Sequence, residues 1–386
     1  MRHIHCLNKI SKSGLAVLPD TYQLTDQIDQ ADAILVRSAV MHDMTLPSSV
    51  LAVARAGAGV NNIPLDTYAQ KGVVVFNTPG ANANAVKELT LAGMLLAVRD
   101  IHGGMNWLAE NRQDPDVQKT IEKVKSRFGG TEILGKTIGI IGLGAIGRKL
   151  AEACLALGMK VIGTDRNLKQ FEDNKLPTAI TLTEDKESLY QASDFISLNL
   201  PLNDSTRHLI NKETLAHMKE GVIILNFARD ALVHDDDLET AIQSGKVHRY
   251  VTDFPNARTA NMTGVIAIPH LGASTEEAED NCASMAANQV VDYIENGNLT
   301  NAVTYPDVHV GPRQGTCRIA IMYQESNGLS NTIQQKLAAD HTIRQARHHM
   351  KSGYGYSLID LEDQIKDDHI KAIEAFEGVI RVRVLV

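Results

Sequence analysis

The chain has 386 residues, too many for one small core and enough for two or three domains. Its 44% hydrophobic and 22% charged residues match an ordinary soluble globular protein, and a net charge of −8 gives no electrostatic reason to bind nucleic acid or an acidic membrane surface. The longest apolar-rich stretch, "LTLAGMLLAV", is too short to cross a bilayer.

The N-terminal "MRHIHCLNKI" lacks the long apolar region of a secretory signal, which predicts a cytoplasmic protein. "ADAILVRSAV", "VLAVARAGAGV" and "GVVVFNTPG" are short apolar runs ending in turn residues, as buried parallel strands do. A long helix is expected from about Val86 to Asn111, followed by the charged segment "DPDVQKTIEKVKSRFGG". The strand-like runs "KTIGIIGLG", "MKVIGTDR", "DFISLNLP", "GVIILNFAR", "VHRYVTDFP" and "GVIAIPH" come next. Helix-like segments separate most of them, which predicts βαβ crossovers and a parallel sheet. "EEAEDNCASMAANQVVDYIENG" reads as one amphipathic helix able to return to the first domain. Beyond "TYPDVHVGPRQGT" the pattern becomes a small βαββαβ unit without obvious catalytic groups, suited to regulation or assembly. The expected class is α/β, with two doubly wound parallel-sheet (Rossmann-like) domains plus a small C-terminal α+β domain.

Cys6, Cys154, Cys282 and Cys317 are far apart and form no C-x-x-C pair, which argues against a zinc site or a disulfide framework. His3 with His5, and His348 with His349, lack a completing Cys or carboxylate, so no metal site is expected.

"GIIGLGAIGRKL" places Gly142, Gly144 and Gly147 in G-x-G-x-x-G spacing between a strand and a helix. Gly142 suits the tight turn, Gly144 admits the pyrophosphate, and Gly147 permits close helix–strand packing, with the helix N-terminus attracting phosphate. The next strand ends at Asp165, where a carboxylate accepts ribose hydroxyls and repels a 2′-phosphate, favouring NAD over NADP; Arg166 beside it is able to tolerate that phosphate.

Ligands of an open parallel sheet bind beyond the carboxyl ends of its strands. Pro201, Arg229 and His270 lie at or past such ends in the middle domain, and Arg37, Arg55 and the loop Gly57–Ala58–Gly59 in the first. If the two domains face each other, these loops form one positively charged cleft. His270 could accept a hydroxyl proton, and Arg229 could hold a carboxylate or carbonyl oxygen by a charge-assisted bond. Backbone N–H groups near Ala58 and Gly59 could bind carboxylate, leaving Arg37 and Arg55 for a phosphate. A lone arginine at a strand end is as often a surface ion-pair partner, and a lone histidine near a helix start is also compatible with a simple cap.

The pieces "VRSA", "ARAGAGVNNI", "GKTIGIIGLGAIG", "LPLNDSTRHLI", "LNFARDALV" and "IPHLGAST" resemble the D-2-hydroxyacid dehydrogenase family, and within it the members acting on 3-phosphoglycerate. The resemblance implies NAD as cofactor and oxidation of a phosphorylated 2-hydroxy acid, 3-phospho-D-glycerate to 3-phosphohydroxypyruvate. It implies a substrate-binding domain from residues 1–93 and 281–302, an NAD-binding domain at 94–280, and an ACT-like regulatory domain at 303–386. By it Arg229 orients substrate, His270 is the acid/base, Arg37 and Arg55 meet the substrate phosphate, Ile146 adjoins the pyrophosphate turn, and Thr252 or Asp253 holds the nicotinamide amide. A homodimer or homotetramer is the implied assembly.

Departures are equally specific. The family's Glu that supports the catalytic histidine falls on Ala257, and the Gly after the arginine is Asp230. In the tail, Tyr323 and Glu325 replace the His and Asn of a serine-binding segment, arguing against feedback by serine. A different carboxylate (Asp253 or Asp230), a backbone carbonyl or a water could support His270. Two other readings stay open: a dehydrogenase for glyoxylate, hydroxypyruvate or D-lactate, and an NAD-binding interaction protein without turnover.

Overall fold

The computed structural model describes residues 1–171, 176–326 and 328–386. The chain divides into two compact units, Met1–Asn82 with Glu276–Val386, and Ala83–Thr275.

In the second unit seven parallel strands run in the order Val265–Ala267, Val247–Thr252, Val222–Asn226, Phe195–Leu198, Thr137–Ile141, Lys160–Thr164 and Ile180–Leu182. Side chains alternate between the two faces, and both are covered. Ile223 and Leu225 join one core with Met94 and Leu150, while Val222 and Ile224 join the other with Leu189 and Leu238. This two-sided burial is why the strands read as continuous apolar runs. The strand order reverses at Thr137–Ile141, so the glycine-rich turn occupies the switch point where doubly wound sheets bind ligands.

The expected helix from Val86 to Asn111 is in fact two, Ala83–Val98 and Ile101–Glu110. Asp100 interrupts it by accepting the Gly103 N–H at 2.9 Å as an N-cap, and Arg99 pairs with Gly130 in an isolated bridge. The charged segment that follows contains a helix, Val117–Val124.

In the first unit five parallel strands run in the order Tyr22–Thr25, Arg2–Cys6, Ala33–Val36, Ala52–Arg55 and Val74–Phe76. The helix Glu276–Asn296 packs on one face through Cys282, Ala283, Ala286, Val290 and Tyr293. The C-terminal region has the expected βαββαβ order and an antiparallel sheet: Ile343–Lys351, Tyr354–Leu361, Cys317–Gln324, Val379–Leu385. Its own helices cover Ile319 and Ile321, whereas Ala320, Met322, Tyr356 and Leu358 on the opposite face join the core around Tyr293.

The end of Glu276–Asn296 is tied to this sheet by guanidiniums. Arg383 donates to the carbonyls of Tyr293 (3.2 Å) and Ile294 (3.0 Å), and Arg318 donates to that of Asn296 (2.7 Å). The Tyr293 carbonyl also accepts the Gly297 N–H at 2.9 Å; in this last turn the cations supplement the scarce N–H donors and face the negative end of the dipole. Arg318, fully buried, also grips Asp360, its register partner on the adjacent strand, through two nitrogens.

All four cysteines are free, and burial pushes the Cys6 and Cys154 thiols up to about 11 and about 12. His348 and His349 are consecutive on an edge strand, so they point to opposite faces and do not chelate together. Among the described residues no group of three or more His, Cys, Asp or Glu is placed to hold a metal, and no helix is long and apolar enough to cross a membrane.

Candidate active site

Gly142 turns the chain out of its strand with φ +96°, and a Cβ there would lie 2.4 Å from the Asn199 carbonyl oxygen. Leu200 lies against this turn, and exposed Pro201 follows it. A Cβ at Gly147 would stand 2.0 Å from the Gly142 carbonyl oxygen, so only glycine lets the helix sit so close to the strand. A Cβ at Gly144, by contrast, would meet open space. The helix Ala145–Ala156 starts at Gly144 without a side-chain cap, which leaves first-turn N–H groups for an anion. Ile146 sits half-buried in that first turn.

Asp165 braces the same loop. One carboxylate oxygen accepts the Leu143 N–H at 2.8 Å and the other the Asn167 N–H at 3.2 Å. The second oxygen also accepts the Gln170 amide at 3.3 Å, and with two acceptor sites per oxygen the first keeps one for a ribose hydroxyl.

Two strands away, buried Asn226 shapes the turn that presents Arg229. Its amide donates to the Arg229 carbonyl at 2.8 Å and to the Tyr250 hydroxyl at 2.9 Å, and its oxygen accepts the Ala228 and Arg229 N–H groups at 3.2 and 3.3 Å. The Arg229 guanidinium donates to the Ala228 carbonyl at 2.6 Å and lies 5.2 Å from the centre of the Phe254 ring. The exposed imidazole of His270 lies against the same ring, centroid to centroid 4.3 Å. Phe254 therefore brings the guanidinium and the imidazole together.

Asp253, 1% exposed, stands beneath this group. One oxygen accepts the Gly272 N–H at 3.0 Å; the other has no hydrogen-bond partner among the described residues. Burial pushes this carboxyl above the usual range, opposed by the Gly272 N–H and by the charges of His270 and Arg229. An orphaned buried acceptor fits an amide N–H donor, as a nicotinamide carboxamide would supply. With the open space at Gly144 and the uncapped helix, the residues present suit a dinucleotide.

No hydrogen bond fixes the His270 ring among the described residues. Ala257 is exposed, and its carbonyl accepts the Asn261 amide at 2.7 Å. Arg258 turns to Asp236 and Glu239 in a surface ion-pair network, and Asp230 is exposed. Of the two carboxylates suggested by the sequence, Asp253 feels the charge of the imidazole.

In the other unit, Arg37 and Arg55 both act on Cys282, drawing its thiol down against the stronger upward push of burial. Asn8 accepts the Arg37 N–H at 2.9 Å, and Asn62 accepts the Arg55 side chain at 3.2 Å. Gly57 makes room for Arg55, whose terminal nitrogen would stand 2.3 Å from a Cβ there. Arg37 forms an ion pair with Glu279 at 2.6 Å, one helical turn before Cys282. The exposed turn at Ala58 and half-buried Gly59 follows Arg55, with the Ala58 carbonyl accepting the Asn77 amide at 2.6 Å. Sequence reasoning missed Phe254 and Glu279: one looks like a core residue, and the other like an acid in the first turn of a helix.

Residues 91–272 match the model of the D-isomer specific 2-hydroxyacid dehydrogenase NAD-binding domain. The chain is 32% identical to the D-3-phosphoglycerate dehydrogenase of Methanocaldococcus jannaschii over 79% of its own length and 58% of that protein's, so it spans little more than half of that relative. It is 38% identical to the hydroxypyruvate reductase of Thermotoga maritima, over 67% of this chain and 83% of the relative. The solved glyoxylate reductase from Paecilomyes thermophila superposes with a TM-score of 0.62 at 28% identity, over 78% of this chain and 98% of that one. The chain belongs to the D-isomer-specific 2-hydroxyacid dehydrogenase family and carries that family's NAD-binding domain.

Proposed function

We propose that the protein oxidises 3-phospho-D-glycerate to 3-phosphohydroxypyruvate with NAD. The observation that carries this reading is the placement of Arg229 and His270 on one aromatic ring beside an orphaned Asp253 oxygen. His270 takes the proton from the 2-hydroxyl, and Arg229 holds the carboxylate and the carbonyl oxygen that forms. NAD, when bound, supplies the hydride acceptor. Gly144 and the helix start behind it receive the pyrophosphate, Asp165 the ribose, and Asp253 the carboxamide. Arg37 and Arg55 bind the phosphate, with the Ala58–Gly59 turn beside them. Relatives named D-3-phosphoglycerate dehydrogenase support this substrate. Position 257 carries no carboxylate to orient His270, and we assign a reduced turnover rather than none.

The division into substrate-binding, NAD-binding and ACT-like regulatory parts, the cytoplasmic location and a homodimer or homotetramer belong to the same proposal. The helices Ile101–Glu110 and Val117–Val124 bury no side chain within their unit, and Met105 (65% exposed) and Leu108 (45%) give a second copy an apolar face to cover.

A second reading rests on Glu279. It already neutralises Arg37, which favours an acid without phosphate, such as hydroxypyruvate or glyoxylate. Relatives named for those substrates fit it.

NADH consumption with 3-phosphohydroxypyruvate, hydroxypyruvate and glyoxylate separates the two. The first reading expects the phosphorylated substrate to have the highest kcat/KM, and His270→Ala to lower kcat by about 10²–10⁴-fold with NADH binding intact. Turnover that survives His270→Ala would remove the acid/base assignment, and NADH binding without turnover of any of the three would leave a binding protein.

A further inference from the structure

The seven-stranded sheet has a second charged rim. At the amino ends of Thr137–Ile141, Phe195–Leu198, Val222–Asn226 and Val247–Thr252, opposite the glycine-rich turn, a cavity of about 520 Å³ opens. Five cationic side chains line it: Arg99, Arg127, Lys136, Lys219 and Arg249. Three carboxylates lie among them, each already engaged. Asp100 caps the Gly103 N–H, Asp194 takes Lys219 (2.9 Å) and the Thr137 N–H (2.8 Å), and Glu220 pairs with Lys246 (3.0 Å).

The remaining cations outnumber the carboxylates: Lys136 acts on Asp194, which already pairs with Lys219, and among the described residues no carboxylate beyond these three lines the cavity. Among the described residues Arg99, Arg127, Lys136 and Arg249 form no ion pair. Like charges around one concavity repel one another, and low-dielectric walls focus their field into it, so the wall is most stable against a counter-anion. His248 on the same wall reads this field: burial and the charge of Arg249 hold its imidazole below the usual range. Three guanidiniums among the four favour planar, multidentate acceptors such as phosphate or carboxylate groups. The volume suits a small molecule and is too small for a folded partner.

We propose that this cavity is a binding site for a small polyanion carrying two or more phosphate or carboxylate groups, separate from the dinucleotide site of the same unit. Because it lies at the amino ends of the strands, its ligand takes no part in hydride transfer.

Calorimetric titration of the full chain with inorganic pyrophosphate, at low salt and with saturating NADH, tests this. NADH blocks the glycine-rich turn, which also attracts pyrophosphate. With Arg37→Gln and Arg55→Gln in every version to silence the phosphate site of the proposed function, one saturable site is expected, weakened at least tenfold in Lys136→Gln/Arg249→Gln and also in Arg99→Gln/Arg127→Gln. The second pair alters two exposed side chains and guards against misfolding of the first. NADH affinity is expected to stay unchanged in both. Loss of all pyrophosphate binding when NADH is present would overturn the proposal, as would full binding in both double variants. So would sedimentation showing that pyrophosphate binds only by separating subunits, since the cavity would then belong to a second copy.

Discussion

Arg318 and Arg229 carry the same guanidinium and use it in opposite ways. Arg318 is fully buried, and its donors meet Asp360 twice and the carbonyls of Asn296, Gly311 and Pro312. Among the described residues the half-buried Arg229 side chain donates only to the Ala228 carbonyl and otherwise rests on the Phe254 ring. A guanidinium whose donors are all used inside the fold holds the fold together. One left with free donors beside an imidazole is available to a ligand. The two should therefore fail differently when removed.

Arg318→Met has the largest expected cost. It leaves Asp360 charged and buried without its partner, which destabilises by roughly 3–5 kcal/mol. Urea unfolding should show it, while the kcat of the molecules that stay folded should change little. Arg229→Lys keeps the charge and loses the forked donor geometry. It should move the unfolding midpoint by no more than about 0.5 kcal/mol and lower kcat/KM by about 10²–10³-fold. A variant of Arg229 that unfolds the protein without an effect on catalysis would erase the contrast.

Arg37 falls between these extremes, tied to Glu279 across a half-exposed ion pair. A phosphate that binds Arg37 has to displace that carboxylate. Exposed pairs are worth about 0.2–1 kcal/mol, so Glu279→Gln should lower KM for 3-phosphohydroxypyruvate by up to about fivefold and leave that for hydroxypyruvate unchanged. Equal effects on both substrates would mean that Arg37 does not read the phosphate.

The parts legible in the sequence are those governed by local rules. Continuous apolar runs ending in turn residues marked the strands, and the glycine spacing after "TIGII" located the turn whose Cβ clearances demand glycine at 142 and 147. The break at Asp100 was local too, an N-cap whose acceptor reaches Gly103, but the apolar pattern runs through it and hid it. Glu279 and Phe254 were not legible, because their importance comes from neighbours brought in by tertiary folding. Nothing in the sequence around Glu279 refers to Arg37. Nor could spacing reveal that the residue after Asp253 would support both Arg229 and His270.

Asp253 gives the smallest effect and the sharpest test of what an unsatisfied group is for. Burial raises its carboxyl above the ordinary value, so its charged form is disfavoured in the folded state. At neutral pH the native state therefore carries a cost that the unfolded chain does not. That cost fades as the pH falls through the folded value and is gone below the unfolded one. Asp253→Asn removes the charge, so it should stabilise the protein at pH 7 by on the order of 1 kcal/mol, with the difference shrinking toward zero in acid. The same change replaces an orphaned acceptor with an amide that offers N–H donors, so NADH affinity should fall as stability rises. Opposite movement of the two would identify the buried carboxylate as a group kept for the nicotinamide at the expense of the fold; a drop in stability with unchanged NADH binding would place it with Arg318 instead.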